Sequence, residues 1–95
     1  MRDYELVFIV TPEFDEPATA DIVDKVKSWI TKSDGTIESE EVWGRQKLAY
    51  LVDKHKEGQY YLFNIKLEPT AVASLEGNFR LQESILRFLI INRDE

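Results

Sequence analysis

The sequence predicts an α+β protein, a four-stranded antiparallel sheet with both helices packed on one side. Three observations point there. Apolar residues alternate with period two in four separate stretches and recur at helical spacing in two others. Those stretches follow the order β-α-β-β-α-β. The 95 residues, 43 % apolar and 32 % charged, suffice for one packed core and little more, so a single domain over residues 1–95 is expected.

The first strand spans residues 4–10. Tyr4, Leu6, Phe8 and Val10 share one face, and Glu5, Val7 and Ile9 the other. Both faces are largely apolar, which favours a central strand. Thr11 to Asp15 is a loop. The first helix runs from Glu16 or Pro17 to Ser33, with Asp15 or Glu16 at its N-terminus, where a carboxylate opposes the helix dipole. Pro17 is tolerated only in a first turn. Ile22, Val26, Trp29 and Ile30, with Val23, form its apolar stripe, so Trp29 reads as core. Gly35 is the expected left-handed residue that ends it.

Residues 36–52 form a long second strand interrupted at Gly44, the mark of a bulge or a close backbone approach. Its Glu38–Glu41 segment is too polar for burial on both faces, so it reads as an edge. Charge and a bulge also protect such edges from aggregation. Asp53 to Gly58 is the expected hairpin turn, with Gly58 supplying a positive φ and His55 solvated. The third strand, 59–67, puts Tyr61, Phe63, Ile65 and Leu67 on one face and Tyr60, Leu62, Asn64 and Lys66 on the other. Thr70 is the expected cap of a second helix reaching Leu81, with Val72, Leu75 and Phe79 inward. Gly77 weakens that helix by about 1 kcal/mol relative to alanine. The last strand, 84–92, pairs Leu86, Phe88 and Ile90 in parity against Arg87, Leu89, Ile91 and Arg93.

Two right-handed crossovers around a hairpin make this a ferredoxin-like βαββαβ sandwich, with the first and third strands central. One sheet face is then covered by helices and the other is bare. By parity the bare face carries Val7, Ile9, Tyr60, Leu62, Leu89 and Ile91 among Glu5, Asn64, Lys66, Arg87 and Arg93. The parity of the second strand cannot be carried across Gly44. An apolar patch with cationic edges is a candidate partner surface, and Ile9, Tyr60, Leu62, Leu89 and Ile91 are its candidate residues. The plainer alternative is a scatter of exposed apolar side chains on a small sheet.

Composition narrows the chemistry. Without cysteine there are no disulfides and no thiolate metal sites, which fits a reducing cytoplasm, and a lone histidine cannot build a histidine metal site. No cofactor or metal is expected. The N-terminus lacks a signal-peptide profile, and no apolar run approaches the about 20 residues of a membrane span. The net charge of −6 is uneven, at −7 over residues 1–41 and +1 over residues 42–95, which hold four of the five arginines. A freestanding nucleic-acid binder normally has a basic excess, so any nucleic-acid contact here is local or completed by a basic partner.

Arg2, Arg45, Lys47, Arg80, Arg87 and Arg93 are candidate phosphate or partner contacts, because the guanidinium fork matches phosphate oxygens. Taken singly, each reads better as an ordinary solvated or paired charge; as a group on strands and strand ends they are more suggestive of contacts. Trp43 beside Gly44 either packs over the bulge, the simpler reading, or contacts a partner. A freestanding RNA-recognition module would need stacking aromatics on the bare face, where only Tyr60 qualifies. Catalysis finds little support, since the carboxylates Glu38, Glu40 and Glu41 lie on an edge strand with no sign of a pocket. Acylphosphatases share the architecture but cradle phosphate in a glycine-rich, arginine-bearing loop after the first strand. Here Thr11 to Pro17 is acidic and has neither residue, so it repels phosphate. A small-molecule regulatory module of the same fold remains an alternative, although that loop lacks the glycine such a site uses.

Three segments resemble the bacterial small-subunit ribosomal protein six family: Met1-Arg-Asp-Tyr-Glu5, Trp43-Gly-Arg-Gln-Lys-Leu-Ala-Tyr50, and Phe79-Arg80 with Ile85-Leu-Arg87. The resemblance spans nearly the whole chain in the same element order. It implies the ferredoxin-like fold, no catalysis and a cytoplasmic, ribosomal location. It also implies binding to the central domain of small-subunit ribosomal RNA as a heterodimer with small-subunit ribosomal protein eighteen, a basic protein. An acidic adaptor attracts such a partner electrostatically. The matching motifs carry over Arg2, Arg45, Lys47, Arg80 and Arg87 as RNA-proximal or partner-proximal cations. Asp3 departs from the pattern and lowers the potential near Arg2. Many relatives extend beyond the position of Glu95, so contacts made by such a tail are expected to be absent or different.

Overall fold

The computed structural model describes residues 1–52 and 54–93. The elements are β1 (Arg2–Val10), α1 (Glu16–Lys32), β2 (Thr36–Val52), β3 (His55–Leu67), α2 (Pro69–Leu81) and β4 (Ile85–Asn92). They form one antiparallel sheet of order β2-β3-β1-β4. This is the expected ferredoxin-like α+β fold, with β1 and β3 central and β2 at an edge.

The core lies between the sheet and the helices. Tyr4, Leu6, Phe8 and Val10 from β1 and Tyr61, Phe63, Ile65 and Leu67 from β3 meet Ile22, Val26 and Ile30 of α1 and Leu75 and Phe79 of α2. Phe8 sits at its centre, stacked on Tyr61 at 5.2 Å and edge-on to Phe63 at 5.2 Å. Phe79 stacks on Phe88 of β4 at 4.9 Å and receives the half-buried Trp29 edge-on at 5.3 Å. Asp15 caps α1 by accepting the Ala18 amide at 3.0 Å, and Pro17 falls in the first turn, both as the sequence anticipates.

Local details differ from the sequence expectation for identifiable reasons. Asp34, not Gly35, takes the left-handed conformation after α1, at φ 61°. Gly35 is required by crowding: a Cβ there would lie 2.8 Å from the Ile30 carbonyl oxygen and 2.8 Å from Leu67 Cδ1. The β2–β3 turn is tighter than expected, with Val52 opposite His55 and the positive φ at Lys54 (69°). Gly58 therefore lies inside β3, buried against Ile9. The expected turn residue Asp53 and the side chains of Ala49 and Tyr50 lie outside the described residues. Pro69 opens α2, and its N-cap is Glu68, with no side-chain hydrogen bond, in place of Thr70. In β4 a register shift against Ile9/Val10 inserts an extra residue. Ile85 thereby enters the core, and Leu86 is left half-buried outside the Phe88/Ile90 row.

Candidate functional site

Strand parity and the absence of helix cover define the uncovered sheet face. On its central strands, Val7 lies opposite Leu62 and Leu89, and Ile9 opposite Tyr60 and Arg87. The registers also resolve β2. Irregularities fall at Ile37/Ser39 and at Val42/Gly44, where Gly44 adopts φ 76°. Between them Glu41 faces Leu62 on the uncovered side, and Val42 faces Tyr61 on the helix side. The shift at Ile37/Ser39 moves the Ser39, Glu41 and Trp43 row to the uncovered face, and the bulge at Gly44 changes the parity only beyond Trp43. Its ring lies nearly parallel to Tyr60, 15° apart with centroids 6.4 Å apart, and is 46 % exposed. Trp43 thus packs on Tyr60 beside the bulge and still presents about half its surface outward.

The five apolar candidates separate into two layers. Ile9 and Leu62 lie on the uncovered face yet are buried by their neighbours, so they support the surface more than they form it. A Cβ on Gly58 would meet Ile9 Cγ2 inside van der Waals contact and Leu86 Cδ1 at 3.6 Å, which shows how closely that corner is filled. Tyr60 is half-buried, and Leu89 and Ile91 on edge strand β4 are exposed. The accessible apolar surface is therefore a β4 strip plus the Trp43–Tyr60 pair. Exposed large apolar side chains are usual singly, but alternation along one strand sets these two side by side.

The six cations fall into three groups. Arg87 and Arg93 flank the Leu89/Ile91 strip on the uncovered face. Arg93 Nη1 donates to Asn64 Oδ1 at 2.6 Å, and its amide donates to the Asp3 carbonyl at 2.8 Å, which brings it to the sheet end where Arg2 begins β1. Arg80 follows Phe79 at the end of α2 and lines, with Leu86, Arg87 and Phe88, an open depression of about 290 Å³. Its Nη2 also lies 3.5 Å from Glu76 one helical turn back. Arg45 and Lys47 form the third group on the β2–β3 ribbon. Arg45 donates to Glu57 at 3.0 Å and to the Pro12 carbonyl at 3.3 Å, and Lys47 pairs in register with Glu57. Glu57 and Glu76 are half-buried and their arginine partners exposed, so these surface pairs are weak and open to exchange.

The expectation that His55 is a solvated turn residue does not hold. His55 begins β3, is half-buried, and holds Nε2 3.7 Å from Glu13 Oε1 beside Phe14 and Ser84. The tightness of the turn puts it there, and no residue pattern announces that. Among the described residues no group of three or more His, Cys, Asp or Glu could hold a metal, and no helix is long and apolar enough to cross a membrane.

Fold and surface together define a ferredoxin-like α+β protein with an open, arginine-flanked sheet face. A family model described as ribosomal protein S6 matches residues 3–92. The small ribosomal subunit protein bS6 of Clostridium novyi is 41 % identical over 95 residues, covering 100 % of both chains. That of Parabacteroides distasonis is 39 % identical over 95 residues, covering 100 % of this chain and 80 % of its own. The crystal structure of 30S ribosomal protein S6 from Thermotoga maritima superposes with a TM-score of 0.92 at 30 % identity, covering 97 % of this chain and 87 % of that one. The chain belongs to the ribosomal protein S6 family, and hence to the ribosomal proteins of the small subunit.

Proposed function

We propose that this chain is a non-catalytic structural component of the small ribosomal subunit. In this reading it works as one domain and binds the central domain of small-subunit ribosomal RNA together with small-subunit ribosomal protein eighteen. Family membership carries the bacterial ribosome, in the cytoplasm, as its location. The observation that carries the joint-binding reading is the uncovered sheet face, where Arg87 and Arg93 flank exposed Leu89 and Ile91. Apolar side chains call for a protein cover. Guanidinium groups beside them serve phosphate at the margin of that cover.

Charge supports the same division of labour. At −6 overall, the chain is repelled by RNA at long range and attracted by a basic protein. A basic partner seated on the sheet neutralises the complex and leaves only a few phosphates for this chain to contact. Arg2, Arg45, Lys47, Arg80, Arg87 and Arg93 are the side chains proposed for RNA or partner contact, and Trp43 and Tyr60 extend the apolar surface toward β2.

The test is an RNA-binding titration of the full chain on a central-domain fragment, with and without the partner. The partner is expected to raise affinity by about tenfold or more, within the usual range of coupling between sites. Replacing Arg87 and Arg93 by glutamine should flatten the salt dependence of the joint complex by up to about two units of slope. Equal affinity with and without the partner would overturn the reading.

A further inference from the structure

Of the eleven carboxylates in the first 41 residues, Glu16, Asp24 and Glu40 line one groove. Between α1 and β2 runs an open channel of about 400 Å³, lined by Ala20, Val23, Val42 and Tyr61 and edged by Glu16, Asp24 and Glu40. Val42 faces the helix side yet is 69 % exposed, the most exposed apolar side chain on the sheet among the described residues. β2 is an edge strand bonded on one side only, so alternate backbone N–H and C=O groups of Ser39–Val42 point outward beside the groove. Bulges bound this regular stretch at both ends.

The chain already shows how a cation seats there. Lys27 reaches across from α1 and places Nζ 2.8 Å from Glu40 Oε1. That single lysine leaves Glu16 and Asp24 of the groove, and Glu38 and Glu41 of β2, as surplus negative charge on or near the same edge. Phosphate is repelled here, and β4 with Arg87 lies at the opposite edge of the sheet.

We propose that the α1–β2 groove binds an extended basic peptide segment, such as a lysine- and arginine-rich tail of a neighbouring protein. One apolar side chain of the segment covers Val42 between Ala20 and Val23. Flanking cations meet Asp24 and Glu16 on the helix and Glu38 or Glu40 on the strand. The segment's backbone adds to Ser39–Val42 over the short run between the bulges, as peptides add to other sheet edges. This docking is independent of the uncovered face and of RNA.

The experiment is an amide NMR titration of the full chain with a synthetic peptide of about eight residues alternating lysine or arginine with valine, a length that matches a strand. A glutamate-for-cation version serves as control. Saturable shifts at Ala20, Asp24, Glu40 and Val42, absent with the control, are expected. Val42→Lys and Asp24→Lys, both at exposed positions, should each weaken binding by about tenfold and leave the rest of the spectrum unchanged. Three outcomes overturn the proposal: no saturation, shifts centred on Leu89 and Ile91, or shifts at Glu40 and Val42 that appear on concentrating the chain alone, which would make a second copy the occupant. Loss of RNA affinity in either lysine variant with peptide binding intact would equally place the groove in the RNA site and refute its independence.

Discussion

Truncating Leu89 and Ile91 to alanine isolates the apolar share of the proposed partner interface. Full burial of such a side chain stabilises by about 1.5–3 kcal/mol. Leu89 is 56 % exposed and Ile91 42 % exposed, so about half of that remains to be gained when a partner covers them. Alanine keeps one methyl group, which brings the combined loss on truncation to about 1–2 kcal/mol, or about 5- to 30-fold in Kd. Calorimetric titration of the basic partner into the wild-type and doubly truncated full chains measures this directly. Urea unfolding of the variant should differ from wild type by no more than about 1 kcal/mol, because neither side chain belongs to the buried core. Leu81→Ala is the matched control, since Leu81 is 84 % exposed at the end of α2 and off the uncovered face. An unchanged Kd for the double variant would refute the reasoning, as would an equal loss from Leu81→Ala.

Three further outcomes follow from the packing. Gly58→Ala should destabilise by about 1–3 kcal/mol in chemical unfolding, because its Cβ collides with Ile9 Cγ2, and Ile9→Ala should relieve part of that cost in a double-mutant cycle. Gly77→Ala should stabilise by about 1 kcal/mol, since a Cβ there meets nothing within 4 Å in the α2 interior, and a rise in thermal midpoint reads it. Burial pushes the Tyr61 phenol above its ordinary value of 10.0. Its contribution is therefore fully present below pH 10 and lost as pH rises through the folded-state value, so Tyr61→Phe should flatten the fall in stability above about pH 10 in an alkaline titration.

The fold was legible in the sequence because burial follows period and the periods here are clean. Phe8, Phe63 and Ile30 declare their faces by spacing alone, and the acidic second strand declares itself an edge. What stayed hidden depends on contacts between distant segments. Gly35 and Gly58 read as turn glycines, yet each is a glycine because another chain segment, at Leu67 or Ile9, leaves no room for a side chain. The extra residue that exchanges Leu86 for Ile85 in the core is a register event between β1 and β4, invisible along β4 itself. The candidate surface was legible to the same depth. Strand parity found the uncovered face, but not that Ile9 and Leu62 are buried within it while Trp43, brought to that side by the register shift at Ile37/Ser39, joins it. Nor does residue type reveal that the six cations divide among three places, since their grouping is set by the ends of β1, α2 and β4 and by the β2–β3 ribbon.

Joint recognition through the uncovered face is tested most directly by hydroxyl-radical labelling of the full chain, free and in the reconstituted complex with partner and RNA. Leu89 and Ile91 are expected to lose most of their reactivity on assembly while Leu81 keeps its own. Undiminished labelling of both strand residues in the assembled complex would contradict it.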